Sequence, residues 1–557
     1  MPKSRKSEPV NPAWDSDVRL LAWLASCVSV FAFLYYYRFA EILLYGDAIA
    51  HINIARRVFD SKTPGLLQLG TVWLPLPHLL MIPFLVSDQM WRSGAGGSIP
   101  SLIAYIFGAI GIFRLTRGVF SNPDANGPAR VAGWTAALIY AANPNLIYMQ
   151  STAMGEALYL ALFIWSVVFF MEAVCGGARA LLKCGGCLAA ACLTRYDGWF
   201  LAVAMVVVAL VISLAPILQA SNSRPAQARI FSRSAVVKFV LVVASAPALW
   251  LTYNGIVYRN PLEFENGPYS AKAIERKTQS AGNPGHPGSE NPILAARYFL
   301  KSAETNVASN DWLQRGWVLL VLISTVLLAV VSETTQKKLA ALTLFFWLVP
   351  LIFYALSIAY GGVPIFVPEF WPFTHYNVRY GLYLLPAFSF VGGILAYGTL
   401  RIQSLRLRFR LAALAAVIVF VIVSYASIWR ATPICLEEAQ VNMRTRNQLQ
   451  TQLAGWLEKL PEESTLLMYL GDHVGALERA GIPLKRTINE GNHRVWIQPS
   501  DPDGLWERAL ADPPRYADYV VAFEGDPVWQ AVSDRHLREL VEIHVSGQPR
   551  AVLYQAR

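Results

Sequence analysis

The feature that most constrains this chain is a series of apolar runs, each near the length that crosses a lipid bilayer. A transmembrane helix needs about 20 apolar residues, and only 15% of the 557 residues are charged, against roughly 25% in soluble domains. The sequence therefore predicts an α-helical polytopic membrane protein with about eleven transmembrane helices. The runs are 20–37, 99–120, 131–149, 156–174, 180–194, 198–217, 236–257, 313–331, 339–359, 378–400 and 411–429.

The net charge of +10 is explained by Lys and Arg residues that flank the membrane helices, so we predict no nucleic-acid partner. Membrane proteins concentrate Lys and Arg in their cytoplasmic loops. If the tail 1–19 is cytoplasmic, the later basic clusters face the cytoplasm only when the proline-broken segment 74–90 does not cross. We therefore predict a juxtamembrane or re-entrant structure for 74–90. The clusters include Arg114, Arg117, Arg130, Arg179, Lys183, Arg224, Arg229, Lys337, Lys338, Arg401, Arg406 and Arg408.

This topology divides the chain into three parts. A cytoplasmic tail, 1–19, precedes a transmembrane domain, 20–430, whose outer loops are 38–98, 259–312 and 360–377. The composition changes after 430, where the stretches TLLMYL, YVVAFE and VEIHVSG resemble strands that alternate with helical patterns. The sequence therefore predicts a small extracytoplasmic α/β domain over 431–557. Because the candidate reactive residues precede it, this domain is expected to select the acceptor rather than take part in the chemical step.

Ionisable and polar side chains collect at the outer ends of several apolar runs. One such residue alone is commonly an interfacial anchor, but several on one side indicate a functional site. Carboxylates and guanidiniums are the groups that activate a hydroxyl and bind a phosphate. The candidates are Asp47, His51 and Arg56 after the first run, Glu156, the pair Arg195 and Asp197, and then His375, Asn377, Arg379 and Tyr380.

The spacing of Asp47 and His51 permits more than one interpretation. Residues four apart share one face of a helix, and Asp47 alone could stabilise the start of that helix. Together with Glu156 the two side chains could bind a divalent ion. We favour a hydrogen-bonded pair and predict neither metal nor cofactor. The chain also lacks an evident GxxxxGK[ST] or GxGxxG nucleotide loop.

Five motifs in this order resemble the GT-C glycosyltransferases over roughly residues 20–430. They are GDAIAHINIARRVFDSKTPG, LPLPH, the acid that opens the fourth run, LTRYDG and RYGLYLLP. The nearest branch is the aminoarabinose-transferase and protein O-mannosyltransferase group, glycosyltransferase family 39. The resemblance implies a multi-pass enzyme of the inner (plasma) membrane. Such an enzyme takes a sugar from a polyprenyl-phosphate carrier at the extracytoplasmic face and passes it to an acceptor on a protein, a lipid or a glycan.

The resemblance also implies roles for individual residues. Asp47 matches the catalytic aspartate of the first loop, and Glu156 matches the acid of the second loop. Arg379 matches the basic residue that meets the carrier phosphate, and Arg56 matches an arginine on the helix of the first loop.

Two positions depart from the family pattern. Ala48 follows Asp47 where the mannosyltransferase branch has a second acid. Trp73 and Leu74 precede the juxtamembrane proline where the aminoarabinose branch has Glu-Lys, so the phosphate-binding lysine is missing. We predict that His51 or His78 replaces it. Donor phosphate-binding candidates are therefore Arg379, Arg56, His51 and His78, and further site candidates are Arg195, Asp197, Tyr380 and Asn377.

Two other functions remain open from the sequence. A polytopic transporter would place ionisable residues and broken helices near the bilayer midplane, usually in repeated halves. A lipid-linked polysaccharide polymerase or ligase would share the outer-face arginines and the carrier lipid, but it does not require an aspartate in the first loop.

Overall fold

The computed structural model describes residues 15–122, 126–177, 179–218, 231–278, 285–471, 473–492 and 503–557. Most of the predicted tail, up to residue 14, lies outside the described residues, as do Arg224 and Arg229 of the basic clusters. The first helices are α1 Ser16–Arg38, α2 Gly46–Arg57, α3 Leu76–Met81, α4 Asp88–Arg92, α5 Ala95–Phe120, α6 Asn126–Ala141, α7 Pro144–Gln150, α8 Glu156–Val174, α9 Ala180–Cys192, α10 Asp197–Leu218, α11 Arg233–Val257 and α12 Glu263–Asn266.

The remaining helices complete the membrane bundle and the C-terminal region. Short 3-10 helices lie at Leu66–Leu69, Ile82–Phe84, Val378–Leu384 and Leu484–Arg486. The α-helices are α13 Ala271–Thr278, α14 Pro292–Val307, α15 Asp311–Val331, α16 Thr334–Trp347, α17 Val349–Tyr360, α18 Leu385–Arg401, α19 Leu407–Ala431, α20 Ile434–Leu457, α21 Gly475–Ala480, α22 Leu505–Ala511, α23 Pro513–Tyr516 and α24 Pro527–Val532.

All eleven predicted runs are helical, but two of them are shorter than a membrane span. Nine helical segments in the described parts of the chain are long and apolar enough to cross a bilayer. The run 131–149 divides into α6 and α7, because the side chain of Asn143 accepts the Leu146 N–H and Pro144 starts a new helix. The run 180–194 is the 13-residue helix α9. The chain is a multi-pass membrane protein, with fewer full-length spans than the eleven expected.

The segment 74–90 forms α3, a 3-10 turn and α4. The longest of these helices has six residues, which corresponds to about 9 Å of helix. None of the three elements can cross a hydrocarbon core of about 30 Å. The N–H of Leu76 donates to the carbonyl of Leu193 at 2.9 Å, so the segment is attached to the end of α9.

Small residues allow close packing in the centre of the bundle, where α18 lies against α5 and α6. A Cβ atom at Gly393 would be 2.5 Å from Cγ2 of Thr116, and one at Gly392 would be 2.1 Å from Cδ1 of Ile139. Without side chains at these positions the helix backbones approach closely, as is common in membrane bundles. The helix α18 is consequently buried almost throughout.

The C-terminal region contains a mixed five-stranded sheet. Its strands are β1 Leu466–Met468, β2 Thr487–Ile488, β3 Tyr519–Phe523, β4 Arg538–Ile543 and β5 Ala551–Gln555. The spatial order is β2-β1-β3-β5-β4. Strand β1 pairs in parallel with β2 and β3, and β5 pairs antiparallel with β3 and β4. The predicted α/β domain is present: β1 and β3 lie at two of the predicted stretches, β4 overlaps the third only at 541–543, and there are two additional strands.

The helix α20 connects the membrane bundle to this sheet and packs against residues of the loop 38–98 and against Asn377. The chain turns at Thr432, whose φ is 81°, and Pro433 precedes the first turn of α20. The hydroxyl of Tyr45 donates to the carbonyl of Cys435 at 2.8 Å, and the Cys435 N–H donates to Oδ1 of Asn145 at 3.0 Å. The segment just after residue 430 is therefore buried against the membrane core.

Candidate active site

The guanidinium of Arg379 binds three carboxylates that come from distant parts of the sequence. Its Nη2 lies 2.6 Å from Oδ2 of Asp47, its Nε 3.0 Å from Oε1 of Glu156, and its Nη1 2.9 Å from Oε1 of Glu438. The side chain of Arg379 is buried. Arginine suits this position because its planar group presents N–H donors in several directions and stays charged when buried.

Local backbone geometry positions Arg379. It lies in the 3-10 helix Val378–Leu384, which follows Asn377 in a left-handed conformation with φ 56°. The carboxylate of Glu438 accepts the N–H groups of Asn377 at 2.8 Å and Val378 at 2.9 Å. Glu438 thus satisfies the open N–H groups at the start of this helix and also binds its arginine. Asn377 contributes through its backbone, and its side-chain amide donates to the carbonyl of Pro364.

A second guanidinium, that of Arg195, extends the cluster. Its Nε donates to Asp197 at 3.2 Å and its Nη2 to the Tyr354 hydroxyl at 3.0 Å, while Nη1 lies 3.6 Å from Oε1 of Glu156. The Tyr354 hydroxyl in turn donates to Asp197 at 3.1 Å. The ring of Tyr380 lies between the two guanidiniums, with centroid distances of 4.7 Å to Arg195 and 5.0 Å to Arg379. Cation–π contacts of this kind stabilise both guanidiniums, which allows two like charges to lie at close range.

Asp47 is the carboxylate of this cluster that reaches solvent. Its side chain is 40% exposed, whereas those of Glu156 and Glu438 are each 1% exposed. Asp47 lies in the first turn of α2, and its Oδ1 has no hydrogen-bond partner among the described residues. A half-exposed carboxylate that is oriented through one oxygen by a buried arginine can accept a proton through the other.

His51 and His78 contact each other instead of joining the arginine cluster. Nδ1 of His51 lies 2.8 Å from Nε2 of His78, and both rings are buried. Burial lowers the pKa of His51 and lowers the pKa of His78 well below its ordinary value. Both rings are therefore neutral at pH 7, and they offer hydrogen bonds but little charge to a phosphate.

Arg56 lies outside the cluster around Arg379. Nine positions separate it from Asp47, a distance of about 13 Å and half a turn around an α-helix. Its guanidinium donates to Asp60 at 2.8 Å, to the Leu85 carbonyl at 2.6 Å and to Asp88 at 2.5 Å. This buried side chain connects α2 to the segment after α3, and the structure does not bring it together with the other predicted phosphate ligands.

Two residues of α20 belong to the site although the sequence does not single them out. Glu438 binds Arg379, so a residue after 430 belongs to the arginine cluster, whereas the role of the C-terminal domain in acceptor selection stays a prediction. Arg446 is the second: a Cβ at Gly46 would lie 2.0 Å from its Nη1, which places this guanidinium beside the residue before Asp47. Glutamate and arginine are common on exposed helices, so only their tertiary contacts distinguish them: Glu438 is buried against Arg379, and Arg446 is half-buried beside Gly46.

The sequence left open whether Asp47, His51 and Glu156 together bind a divalent metal ion. Within the described ranges, no group of three or more His, Cys, Asp or Glu side chains is arranged to hold a metal ion. Nδ1 of His51 is directed to His78. That the site works without a metal stays a prediction from the sequence.

Comparison with known proteins identifies the fold. No family model matches the chain, and no curated protein matches it. Among solved structures it is similar to ArnT from Cupriavidus metallidurans in the apo state, with a TM-score of 0.54 and 13% identity over 95% of this chain and 98% of that one. The same protein bound to undecaprenyl phosphate gives a TM-score of 0.52 with the same identity and coverage. An oligosaccharyltransferase from Archaeoglobus fulgidus gives 0.44 and covers 90% of this chain and 68% of that one.

The similarity to the two ArnT structures defines the fold class of this protein. The likeness extends over nearly the full length of both chains. It includes the membrane bundle and the C-terminal sheet. The predicted GT-C-like fold with a small C-terminal α/β domain is confirmed. At 13% identity this likeness defines the fold, and the activity has to be argued from the site.

Proposed function

We propose that this protein is a glycosyltransferase of the inner (plasma) membrane that moves a sugar from a polyprenyl-phosphate carrier to an acceptor hydroxyl. The observation that carries the proposal is the half-exposed Asp47 carboxylate, which the buried Arg379 orients in α2, shortly after the first long helix. A carrier lipid would present its sugar at this depth. The fold likeness to ArnT, one structure of which was solved with undecaprenyl phosphate, supports a carrier of this chemical class.

The reaction needs one base and a site for the leaving phosphate. Asp47 accepts the proton of the acceptor hydroxyl as that oxygen bonds to the anomeric carbon of the sugar. The bond from the anomeric carbon to the phosphate oxygen breaks, and the polyprenyl phosphate leaves with the electron pair. Glu156 is a catalytic candidate by resemblance. In this geometry it contributes by holding Arg379, which fixes the direction of Asp47, and it also lies 3.6 Å from Nη1 of Arg195.

Two guanidiniums could stabilise the departing phosphate. Arg379 is committed to three carboxylates, so an approaching phosphate would have to compete with Asp47 for Nη2. Such competition would release the Asp47 carboxylate when donor is bound. Arg446 has no ion pair among the described residues and lies beside the start of α2, where the helix dipole also favours an anion. We therefore add Arg446 to the predicted phosphate ligands.

The test is an assay of the purified full-length protein in lipid nanodiscs. Undecaprenyl phosphate that carries a radiolabelled sugar is supplied together with cell-envelope fractions of protein, lipid or glycan. The proposal predicts release of undecaprenyl phosphate and transfer of label to one of these fractions. Extension of a lipid-linked chain would instead indicate a polymerase. Movement of the labelled lipid across proteoliposomes with its sugar bond intact would indicate a transporter.

A further inference from the structure

The C-terminal sheet has a crevice at the point where its connections diverge. The spatial order β2-β1-β3 places β2 and β3 on opposite sides of β1. The connection that leaves the carboxyl end of β1 leads through α21 to β2, whereas the connection after β3 leads the other way through α24. In open sheets with parallel strands, ligands bind in the crevice at such a switch point, outside the carboxyl ends of the strands.

A cavity of ≈ 460 Å³ lies at this position. It is lined by Tyr469 and His473, which follow β1, and by Phe523 with the residues up to Pro527, at the end of β3. Tyr269 of the outer loop 259–312 closes the cavity from the membrane domain, and its hydroxyl lies 3.5 Å from that of Tyr469. The volume falls within the range of roughly 300–1,000 Å³ that is typical of small-molecule sites.

The lining groups disfavour an anionic ligand. Glu524, Asp526 and Gln530 contribute carboxylate and amide oxygens, and none of the described lining residues is a lysine or an arginine. Asp526 uses its oxygens to accept the N–H groups of Trp529 and Phe523 at the start of α24. The nearest cation, Arg550, has its Nε 3.8 Å from the Glu524 carboxylate, so a phosphate or a nucleotide, the usual ligand of such crevices, would find no unpaired cation among these groups.

Aromatic faces beside acceptor oxygens suit a sugar. The His473 ring is stacked on Phe523 at 3.8 Å, and the two tyrosines add partly exposed rings. The C–H face of a pyranose packs on such rings, because they combine an apolar surface with a polar edge. Its hydroxyls can donate to the carboxylate of Glu524 and to the amide oxygen of Gln530.

We propose that the cavity between the C-terminal sheet and Tyr269 binds an uncharged sugar unit of the acceptor. The assignment of this sugar to the acceptor rests on the proposed function. The binding of a sugar in the cavity does not rest on it. The cavity lies outside the arginine cluster where the donor would react. It is formed jointly by the outer loop and the domain that α20 attaches to the site, so a glycan held there would be positioned relative to both.

Binding is tested with the full-length protein in nanodiscs, which avoid detergents that carry sugar head groups. The probes are maltotriose, mannotriose and chitotriose, with trigalacturonate as the anionic control, observed by saturation-transfer difference NMR. We expect at least one neutral trisaccharide to bind and trigalacturonate to give no signal. Tyr269→Ala and Gln530→Ala should weaken binding at least tenfold. Tyr269→Phe, which keeps the ring, should retain most of it.

The matched control is Gln448→Ala, which changes an exposed glutamine of α20 that does not line the cavity. It should bind the probes like the parent. The proposal is overturned if none of the neutral probes binds the parent, or if Tyr269→Ala and Gln530→Ala bind as tightly as Gln448→Ala.

Donor cleavage separates this proposal from the proposed function. If undecaprenyl phosphate is released normally by Gln530→Ala while transfer to the acceptor falls, both hold. If the parent binds a trisaccharide through these residues but never cleaves the donor, the proposed function fails and the sugar site stands. If the parent cleaves the donor and binds no sugar, the cavity proposal alone fails.

Discussion

Asp47 differs from the other carboxylates around Arg379 in one respect that matters for chemistry. Glu156 and Glu438 are almost completely buried and face the arginine, so they fix its position. Asp47 is bound through a single oxygen and stays partly exposed. A residue that must meet an incoming hydroxyl needs this combination of a fixed orientation and access from outside.

Asp47→Asn should lower the rate of sugar transfer by about 10²–10⁴, the usual contribution of general acid–base catalysis. An amide oxygen still accepts the hydrogen bond of Arg379, so folding and donor affinity should change little. The measurement is transfer rate at saturating donor, with and without a chelator. If Asp47 only capped α2, asparagine would serve about equally well and the variant would be active. If Asp47 bound a metal, a chelator would inhibit the parent.

The matched control for Asp47→Asn is Asp88→Asn. Asp88 lies in the same outer loop, and its exposed carboxylate pairs with Arg56. It should retain nearly the full rate. An equal loss in the two variants would assign the effect to the loop as a whole and not to a base at Asp47.

Arg379 is expected to be a determinant of stability as well as of activity. Arg379→Ala leaves the buried carboxylate of Glu438 without a cation and leaves Glu156 only its 3.6 Å contact with Arg195, and breaking a buried pair in this way costs about 3–5 kcal/mol. Arg379→Lys should recover only part, since one ammonium cannot reach three carboxylates on different elements. The measurement is thermal unfolding together with binding of undecaprenyl phosphate.

A second substitution identifies the cause of the Arg379 effect. Adding Glu438→Gln to Arg379→Ala removes one uncompensated charge and should restore part of the lost stability. Arg114→Lys, at an ion pair with Glu172 elsewhere in the bundle, is the control and should have little effect. An Arg379→Ala protein that unfolds at the parent temperature would contradict the role assigned to the three carboxylates.

Arg446→Ala tests the added phosphate ligand. A hydrogen bond to a charged group contributes roughly 1.5–3 kcal/mol, so affinity for undecaprenyl phosphate should fall roughly tenfold or more. Folding should be unchanged because Arg446 has no ion pair among the described residues. Arg444→Ala, an exposed arginine of the same helix, is the control. Equal affinities in the two variants would remove Arg446 from the site.

At the scale of elements, the sequence predicted what depends on local pattern. Apolar runs predicted the positions of the membrane helices, β1 and β3 lie at two of the predicted stretches, and β4 overlaps the third at 541–543. The strand β2 has two residues, too few for an alternating pattern, and β5 was not predicted. The division of 131–149 depends on Asn143 and Pro144, a helix-start signal that lies within an otherwise continuous apolar run.

The sequence predicted the site residues that precede the bend at Thr432. It did not predict which of them contact one another. Asp47, Glu156, Arg195, Asp197 and Arg379 do meet. Arg56 and the two histidines do not join them. The periodicity of a helix shows on which face a residue lies, but it does not show which other element packs against that face. Glu438 enters the site through the return of α20 onto the membrane core. No local pattern in a polar helix predicts that tertiary contact.

The contact between α21 and α2 should make the stability of the protein depend on pH. Oε2 of the buried Glu478 accepts the amide of Asn53 at 3.0 Å, and burial raises the pKa of Glu478 to about 8. The folded protein therefore keeps this carboxyl protonated at pH values where the unfolded chain has released the proton. Stability from this group is present at low pH and declines as pH rises from about 4.5 to about 8.

Glu478→Gln should remove this dependence, because the amide is uncharged and still offers an oxygen to Asn53. The unfolding temperature of the parent should fall between pH 5 and 8.5 by more than that of the variant, since each unit of pKa difference is worth about 1.4 kcal/mol. Glu462→Gln, at an exposed position, should follow the parent. A variant with the same pH profile as the parent would show that Glu478 does not titrate in this window.

At the scale of the whole molecule, the two ends of the bundle differ in composition. At one end, Asp15 and Asp17 at the start of α1 pair with Arg117 and Arg130, which belong to the predicted cytoplasmic clusters. At the opposite end lie α2, the arginine cluster around Arg379 and the C-terminal sheet. The bundle thus separates its basic loops from its candidate site.

Because basic loops face the cytoplasm, this separation predicts that the site and the sheet face the other compartment. Reporter fusions after residues 125, 228 and 405 should report the cytoplasm, and fusions after 280 and 450 should report the outside. The fusions after 125 and 280 are decisive, because an odd number of the predicted crossings separates them. Finding both on one side would contradict the orientation, and with it the delivery of a lipid-linked sugar to Asp47 from outside. Opposite sides, together with an outside report at 450, would place Arg379, Glu438 and the sugar-binding cavity in the compartment where envelope acceptors are available.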